Sequence, residues 1–297
     1  MATASQWVQG ARPRTLPAAI APVVAGVGAA GYGTASAQVS WGEDWWKALL
    51  ALVVSLALQV AVNYANDYSD GVRGTDDVRV GPMRLVGSGA ATPDAVKRAA
   101  FLAFGVAGVA GLGLAAATAW WLVLVGLVCV LAAWYYTGGS KPYGYLGLGE
   151  VMVFVFFGLV AVIGTTYVLI EDWSWPALWC GVGVGALACA ILVVNNLRDI
   201  PTDTVAGKRT LAVRLGDGGT RWLYAGLVFD AALAVVLVAW ASTWWALLGL
   251  AFLLIAARGL RIVLAGAVGP ALIPVLQTTG LAELAWAGLV GGALLIA

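Results

Sequence analysis

Residues 46–77 read WKALLALVVSLALQVAVNYANDYSDGVRGTDD, and this stretch decides the fold class. Its first part, 46–65, is almost wholly apolar and has the length of about 20 residues that a helix needs to cross the ~30 Å hydrocarbon layer of a membrane. The second part is polar, with several Asn and Asp residues followed by Arg73. The pattern predicts a membrane-spanning helix with a polar cluster at one end.

Similar apolar stretches fill most of the chain. Hydrophobic residues make up 62% of the 297 residues and charged residues only 10%, and the mean hydropathy is +0.91, whereas soluble domains carry about 25% charged residues. We therefore expect an all-α, polytopic membrane protein that forms a single domain, 1–297, with about nine transmembrane helices. The predicted spans are 16–36, 46–65, 97–117, 119–137, 147–169, 176–195, 222–242, 244–262 and 278–296.

The basic residues are distributed unevenly between the predicted loops. With nine spans, only Lys47 of the 16 Lys and Arg residues falls on one side of the membrane. The positive-inside rule makes the other side cytoplasmic, so we expect an integral protein of the bacterial plasma membrane with long cytoplasmic loops at 66–96 and 196–221. The predicted partner is membrane lipid, not nucleic acid, and the oligomeric state is left open.

The composition also limits the possible chemistry. The chain contains no histidine, which excludes Ser-His-Asp and Cys-His catalysis and any His-ligated metal. Cys129, Cys180 and Cys189 lie within apolar runs and lack the spacing of metal ligands, so we interpret them as small core residues. A bound metal ion would have to use oxygen ligands.

Two clusters rich in Asn and Asp lie at the predicted cytoplasmic ends of spans 2 and 6. Within each cluster the polar residues are three or four positions apart, so their side chains share one face of a helix. The first cluster consists of Asn63, Asn66, Asp67 and Asp70. The second consists of Asn195, Asp199 and Asp203. Either cluster alone is typical of a solvated helix cap, but the matching pair, each followed by Lys and Arg, indicates a binding site.

Crowded carboxylates repel one another, and a divalent cation relieves that repulsion. Mg²⁺ prefers oxygen ligands and is usually shared between one or two carboxylates and substrate phosphates. The clusters therefore predict a site for Mg²⁺ and a diphosphate. The candidate metal ligands are Asn66, Asp67, Asp70, Asp76, Asn195, Asp199 and Asp203.

Basic residues that follow the clusters are candidates to neutralise the diphosphate oxygens. These are Arg73, Arg84, Lys141, Lys208 and Arg209. We predict that catalysis depends on Asp67, Asp70, Asp199, Asp203 and Lys141. A polar mouth on an apolar membrane cavity suits a polyprenyl diphosphate, because the allylic carbocation that remains after loss of diphosphate needs protection from water.

These residues resemble the UbiA superfamily of intramembrane aromatic prenyltransferases. Asn66-Asp67-x-x-Asp70-x-x-x-Gly74-x-Asp76 is similar to the first Asp-rich motif of that superfamily, and Asp199-x-x-x-Asp203 followed by Gly207-Lys208 is similar to the second. The resemblance covers essentially the whole chain and implies nine spans around a central cavity. The superfamily often has a third Asp at the position of Gly74, and here the resemblance assigns that role to Asp76.

Within the superfamily, the chain most resembles the branch whose acceptor is 1,4-dihydroxy-2-naphthoate. The matching stretches are Arg12-Pro-Arg14-Thr15-Leu16-Pro17, Gly81-Pro82-Met83-Arg84-Leu85-Val86, Gly144-Tyr145-Leu146-Gly147-Leu148-Gly149-Glu150 and Asn195-Asn196-x-Arg198-Asp199. The resemblance implies Mg²⁺-dependent transfer of a polyprenyl chain from polyprenyl diphosphate to 1,4-dihydroxy-2-naphthoate, with loss of diphosphate and of the carboxyl group, giving demethylmenaquinol. Candidates to orient the naphthoate are Tyr136, Tyr143, Glu150, Arg12 and Arg14.

Several alternatives remain open from the sequence. Another acceptor, such as 4-hydroxybenzoate or homogentisate, fits the same motifs. A CDP-alcohol phosphotransferase shares Asp67-x-x-Asp70-Gly71 but lacks the rest of its signature, and a cation-coupled transporter would carry its acidic sites nearer the middle of the bilayer. Asp230 and Glu283 lie within spans and are either functional or partners in hydrogen bonds between helices.

Overall fold

The computed structural model describes residues 2–74 and 83–297, and every regular element in these ranges is helical. In these ranges ten main helices follow one another, with two short 3-10 helices, Pro13–Thr15 and Tyr143–Leu146, between them. The main helices are α1 (Ala4–Gly10), α2 (Pro17–Tyr32), α3 (Trp41–Arg73), α4 (Pro93–Ala117), α5 (Leu122–Tyr135), α6 (Gly149–Ile170), α7 (Trp175–Val205), α8 (Leu211–Ala241), α9 (Trp244–Leu264) and α10 (Gly269–Leu295).

The nine predicted spans correspond in order to α2 through α10, which confirms the predicted fold class. In the described ranges, seven of these helices are long and apolar enough to cross a membrane by themselves. Helix α2 joins α1 in a pair bent by 50°, and α5 is an apolar helix of only 14 residues. The spans were predicted from hydrophobicity alone. This was sufficient because a long apolar helix is stable in the hydrocarbon layer of a membrane.

Helices α3 and α7 extend well past the predicted ends of their spans. Their 33 and 31 residues correspond to about 50 Å and 46 Å, more than a bilayer core requires. Helix α3 ends only at Gly74, which adopts the left-handed conformation (φ 67°) and donates its N–H to the carbonyl of Asp70. Much of the predicted loops 66–96 and 196–221 is therefore helix, and both polar clusters lie on helical extensions.

The core lies between α2, α7, α8 and α10. Their contact surfaces consist mainly of Ala, Gly and Val, which allows close approach of the backbones. Gly28 of α2 lies directly against Gly291 of α10, and a Cβ atom at position 28 would overlap the Gly291 backbone. Trp286 fills the space beside Gly183 and donates its indole N–H to the carbonyl of Ala231 at 2.9 Å.

Side-chain contacts join the loops at the end of the bundle opposite the polar clusters. Lys47 is buried and pairs with Asp44 at 2.9 Å and with Glu171 at 3.7 Å. Asp172 accepts hydrogen bonds from the hydroxyls of Ser36, at 2.5 Å, and Thr34, at 2.8 Å, and these bonds hold the pKa of its carboxyl below the usual value. The single basic residue that the sequence analysis placed on this side is thus part of a local ion-pair network.

We expect Gly28→Val to lower the melting temperature of the detergent-solubilised protein by roughly 5 °C or more, because the added side chain has no space beside Gly291. The matched control is Gly105→Val, since Gly105 of α4 has no atom within 4 Å of its Cβ position. Equal melting temperatures for the two variants would contradict the close α2–α10 contact.

Candidate active site

A cavity of about 930 Å³ lies between helices α2 to α7 and α10. One part of its wall is apolar and is formed by residues such as Val54, Leu58, Leu114, Val125, Phe156, Phe157 and Leu192. The other part is polar and is formed by Asn63, Asn66, Asp70, Arg84, Asn195, Asn196, Arg198, Asp199, Asp203 and Lys208. Both predicted clusters therefore line one cavity.

From the first cluster, Asn63, Asn66 and Asp70 form one stripe along α3 that faces the cavity. Asn66 accepts a hydrogen bond from the Thr137 hydroxyl at 2.8 Å. The Asp70 carboxylate lies 3.5 Å from the Arg84 guanidinium and 3.7 Å from the Lys208 ammonium group. Lys208 follows the second cluster in sequence, so this ion pair links the two predicted motifs directly.

Asp67 is not among the residues that line the cavity. Its side chain is 1% exposed and accepts hydrogen bonds from the backbone N–H groups of Leu85 (2.7 Å) and Val86 (3.0 Å). One residue further along a helix turns the side chain by about 100°, which directs Asp67 towards the segment after residue 82 while Asn66 faces the cavity. The contact fixes the segment that carries Arg84.

Tyr145 is a site residue that the sequence analysis did not single out, although it lies in one of the quoted motifs. Its hydroxyl donates to the Asp70 carboxylate at 2.5 Å. The Lys208 ammonium group lies 4.5 Å from the centre of its ring, and the Arg73 guanidinium lies 5.5 Å from it. Its position beside Asp70 depends on how the loop after α5 packs against α3, which the sequence pattern does not show.

In the second cluster, Asn195, Asp199 and Asp203 all line the cavity, as their i, i+4, i+8 spacing predicts. The Arg198 guanidinium binds both oxygens of Asp199, at 2.7 and 2.8 Å, and donates to Asn195 at 2.9 Å. A basic residue within the motif thus balances its central carboxylate.

Of the five predicted diphosphate ligands, Arg84 and Lys208 line the cavity. Arg73 instead donates to the backbone carbonyls of Thr137 and Gly139. Lys141 and Arg209 are exposed and are not part of the cavity wall. Asp76, the predicted third acidic residue of the first motif, lies outside the described residues.

The candidates to orient an aromatic acceptor are mostly in contact with the cavity. Tyr136, Tyr143, Arg12 and Arg14 line it, and Tyr143 donates its hydroxyl to the carbonyl of Ala132 at 2.7 Å.

Glu150 is not part of the cavity wall, and its carboxylate accepts a hydrogen bond from Asn196 at 2.9 Å. Asn196 does line the cavity. Glu150, one of the candidates to orient the naphthoate, therefore contacts the cavity wall through Asn196.

The oxygen atoms that line the polar part of the cavity are suitable ligands for Mg²⁺. Within residues 2–74 and 83–297, no three acidic, Cys or His side chains converge closely enough to enclose a metal ion by themselves. Mg²⁺ does not require such a cage, because it retains waters and takes its other ligands from substrate phosphates. Asp70, Asp199 and Asp203, with the amide oxygens of Asn66 and Asn195, present only oxygen donors to the cavity.

The sequence profile of the UbiA prenyltransferase family matches residues 19–265 of this chain. The protein belongs to the UbiA prenyltransferase family. This confirms the family that the two Asp-rich motifs indicated.

Relatives within the UbiA family resemble the chain over most of its length. The chain is 56% identical over 294 residues to 1,4-dihydroxy-2-naphthoate octaprenyltransferase of Mycobacterium tuberculosis, with 99% of this chain and 98% of the relative covered. It is 37% identical over 249 residues to the enzyme of the same name from Escherichia coli, with 78% and 75% covered.

A solved structure of a UbiA homologue from Archaeoglobus fulgidus, bound to GPP and Mg²⁺, matches with a TM-score of 0.67. The match covers 98% of this chain and 100% of that chain at 14% identity. The likeness shows that the helical bundle is the UbiA fold.

Helix α6 is not a regular α-helix throughout. Its segment Phe154–Val160 forms a π-helix, a local widening that is frequent at functional sites. Gly158 within it contacts the backbone of Gly181 and Gly185 on α7. Both Phe156 and Phe157, adjacent in sequence, line the cavity, so the wider turn increases the aromatic share of its apolar wall.

We expect Asp67→Ala to destabilise this UbiA-family protein by roughly 2–5 kcal/mol, because it leaves the buried N–H groups of Leu85 and Val86 without an acceptor. The matched control is Asn66→Ala, which removes a single hydrogen bond from Thr137. Thermal unfolding in detergent checks this. If Asn66→Ala were the more destabilised variant, Asp67 would not anchor the segment after residue 82.

Proposed function

We propose that this protein transfers a polyprenyl chain from a polyprenyl diphosphate to 1,4-dihydroxy-2-naphthoate. Diphosphate and the carboxyl group of the acceptor, as carbon dioxide, are lost, and demethylmenaquinol, a precursor of menaquinone, forms. The observation that carries the proposal is one cavity whose polar mouth combines both Asp-rich motifs, joined by the Lys208–Asp70 ion pair, with an apolar wall. The relatives named 1,4-dihydroxy-2-naphthoate octaprenyltransferase support the choice of acceptor.

Asp70, Asp199 and Asp203, with Asn66 and Asn195, are the residues that would hold Mg²⁺. When bound, the ion would offset the negative charge that develops on the diphosphate as it leaves. Arg84 and Lys208 add positive charge to the same end of the cavity, where they face the diphosphate oxygens. Asp67 contributes by fixing the segment that carries Arg84.

The rest of the cavity serves the hydrocarbon chain and the acceptor. The apolar wall takes up the prenyl chain and keeps water from the allylic cation. Tyr136 lines the cavity, and its hydroxyl offers a hydrogen bond to an oxygen of the naphthoate. Because Lys141 and Arg209 do not line the cavity, we assign the diphosphate contacts to Arg84 and Lys208.

We further propose that the protein resides in the bacterial plasma membrane with the cavity opening to the cytoplasm. The support is the charge distribution: in the predicted topology, all Lys and Arg residues except Lys47 share the side of the polar clusters.

The test of the reaction is product formation by purified protein in detergent with a polyprenyl diphosphate and Mg²⁺. We expect demethylmenaquinol from 1,4-dihydroxy-2-naphthoate and no product with EDTA. Parallel reactions with 4-hydroxybenzoate and homogentisate test the acceptor. Turnover of either of these in preference to the naphthoate would overturn the acceptor assignment, and full activity in EDTA would overturn the metal assignment.

The acidic residues of the second motif are tested by Asp199→Asn and Asp203→Asn. We expect each change to lower kcat/KM by about 100-fold or more, because a developing charge in a buried site loses its compensation. The matched control is Asp94→Asn at the exposed start of α4. Near-normal turnover by both variants would remove the second motif from the mechanism.

Tyr145→Phe tests the positioning of Asp70. The variant keeps the ring beneath Lys208 but loses the hydroxyl that donates to the carboxylate. Groups that orient a metal ligand typically change metal affinity by 10- to 100-fold, so we expect the Mg²⁺ concentration for half-maximal activity to rise about 10-fold with little change in the rate at saturating Mg²⁺. Tyr135→Phe, which removes an exposed hydroxyl from α5, is the control. An unchanged Mg²⁺ requirement would contradict the assignment.

A further inference from the structure

Gln59 of α3 is a buried polar residue to which the proposed mechanism assigns no role. It lines the cavity on the same helix face as Asn63 and Asn66, one and two turns away from them. Its side chain is only 6% exposed, and within the described part of the chain its amide oxygen, Oε1, has no hydrogen-bond partner. A buried oxygen atom of this kind is energetically costly unless a ligand donates a hydrogen bond to it.

Thr15 holds the amide group of Gln59 in one orientation. The Gln59 amide nitrogen, Nε2, donates to the Thr15 hydroxyl at 2.8 Å. That hydroxyl has a single proton, which it donates to the carbonyl of Arg12 at 2.9 Å. Thr15 can therefore only accept from Gln59, so the amide nitrogen must face Thr15. The other end of the amide, Oε1, is left as a hydrogen-bond acceptor.

The same part of the wall carries positive charge. Arg12 and Arg14 belong to the segment that holds Thr15, and both line the cavity. A ligand that combines a negative charge with a hydroxyl group is complementary to this region, because the arginines attract the charge and Oε1 accepts the hydroxyl proton. A hydroxylated aromatic carboxylate has both features.

Gln59 also lies at the depth where two substrates must meet. It is about 10 Å from Asn66 and about 16 Å from Asp70 along α3. The cavity-lining residues of α3 that lie deeper in the membrane, such as Val54 and Leu58, belong to the apolar wall. Gln59 thus marks the boundary between the polar end, which suits the diphosphate, and the apolar wall, which suits the prenyl chain.

We propose that Gln59 binds the aromatic acceptor by accepting a hydrogen bond from its 4-hydroxyl group. The inference rests on the proposed function, which supplies 1,4-dihydroxy-2-naphthoate as the acceptor. The 1-hydroxyl group of that molecule is adjacent to the carboxylate and donates to it internally, whereas the 4-hydroxyl group needs an acceptor from the protein. Gln59 is therefore a residue that determines acceptor specificity and orientation.

The test begins with the KM values of Gln59→Met, which keeps the length of the side chain and removes its amide. We expect the KM for 1,4-dihydroxy-2-naphthoate to rise about 10-fold, a typical effect of one buried hydrogen bond, with little change in the KM for polyprenyl diphosphate. The matched control is Gln38→Met in the exposed loop after α2, which should leave both values unchanged. Gln59→Ala provides the same measurement if Gln59→Met does not fold, and the melting temperature in detergent checks the fold.

Two acceptor analogues separate recognition of the hydroxyl group from a structural role of Gln59. The analogue 4-hydroxy-2-naphthoate keeps the 4-hydroxyl group, and 1-hydroxy-2-naphthoate lacks it. We expect Gln59→Met to weaken inhibition by the first analogue about 10-fold and to leave inhibition by the second unchanged. Equal weakening for both analogues would show that Gln59 only shapes the cavity, and would overturn the proposal.

The results also distinguish this inference from the proposed function. Absence of naphthoate prenylation by the unmodified protein would overturn the proposed function, and the role of Gln59 with it. Normal turnover by the unmodified protein, with an unchanged naphthoate KM in both Gln59→Met and Gln59→Ala, would overturn the role of Gln59 alone.

Discussion

The charge balance at the ends of α3 and α7 is the constraint on which the rest of the structure depends. These two helices carry Asp70, Asp199 and Asp203 to the wall of one cavity, where unbalanced carboxylates would repel one another. The balancing charges come from separate segments: Arg84 from the segment before α4, Arg198 from α7 itself and Lys208 from the loop after it. The segments that carry Arg84 and Lys208 thus bring positive charge to within 3.5 and 3.7 Å of Asp70.

The excess length of α3 and α7 makes this arrangement possible. A helix that ended at the membrane surface would leave the acidic residues on loops, where their relative positions would vary. Continued helical hydrogen bonding instead holds Asn66 and Asp70 one turn apart, and likewise Asn195 and Asp199. The same two helices contribute apolar residues such as Leu58 and Leu192 to the cavity wall, so the polar and apolar parts of the site share one rigid framework.

Hydrophobicity and charge were sufficient to predict the order and approximate bounds of the membrane helices, because each must be apolar over the thickness of the hydrocarbon layer. They could not show that the helices continue through Asn63–Asp70, since Asn and Asp there are equally typical of a helix end. Helical spacing placed Asp67 and Asp70 on a shared face, yet only Asp70 faces the cavity. That difference depends on where the segment containing Leu85 and Val86 packs, which no local pattern encodes. The contact of Tyr145 with Asp70 could not be predicted for the same reason, because it joins residues 75 positions apart.

Three acidic residues within or beside the spans show that sequence alone does not tell which acidic residues belong to the site. Glu150, Glu283 and Asp230 all interrupt apolar sequence, but their environments differ. Glu150 accepts a hydrogen bond from Asn196 and so influences the cavity wall. Glu283 is fully buried in α10, and neither of its oxygens has a hydrogen-bond partner in the described part of the chain. Asp230 points outward. An acidic side chain is energetically unfavourable in a membrane span, and the sequence does not show whether it lies beside the cavity, as Glu150 does, in the protein core, as Glu283 does, or on the outer surface of the bundle, as Asp230 does.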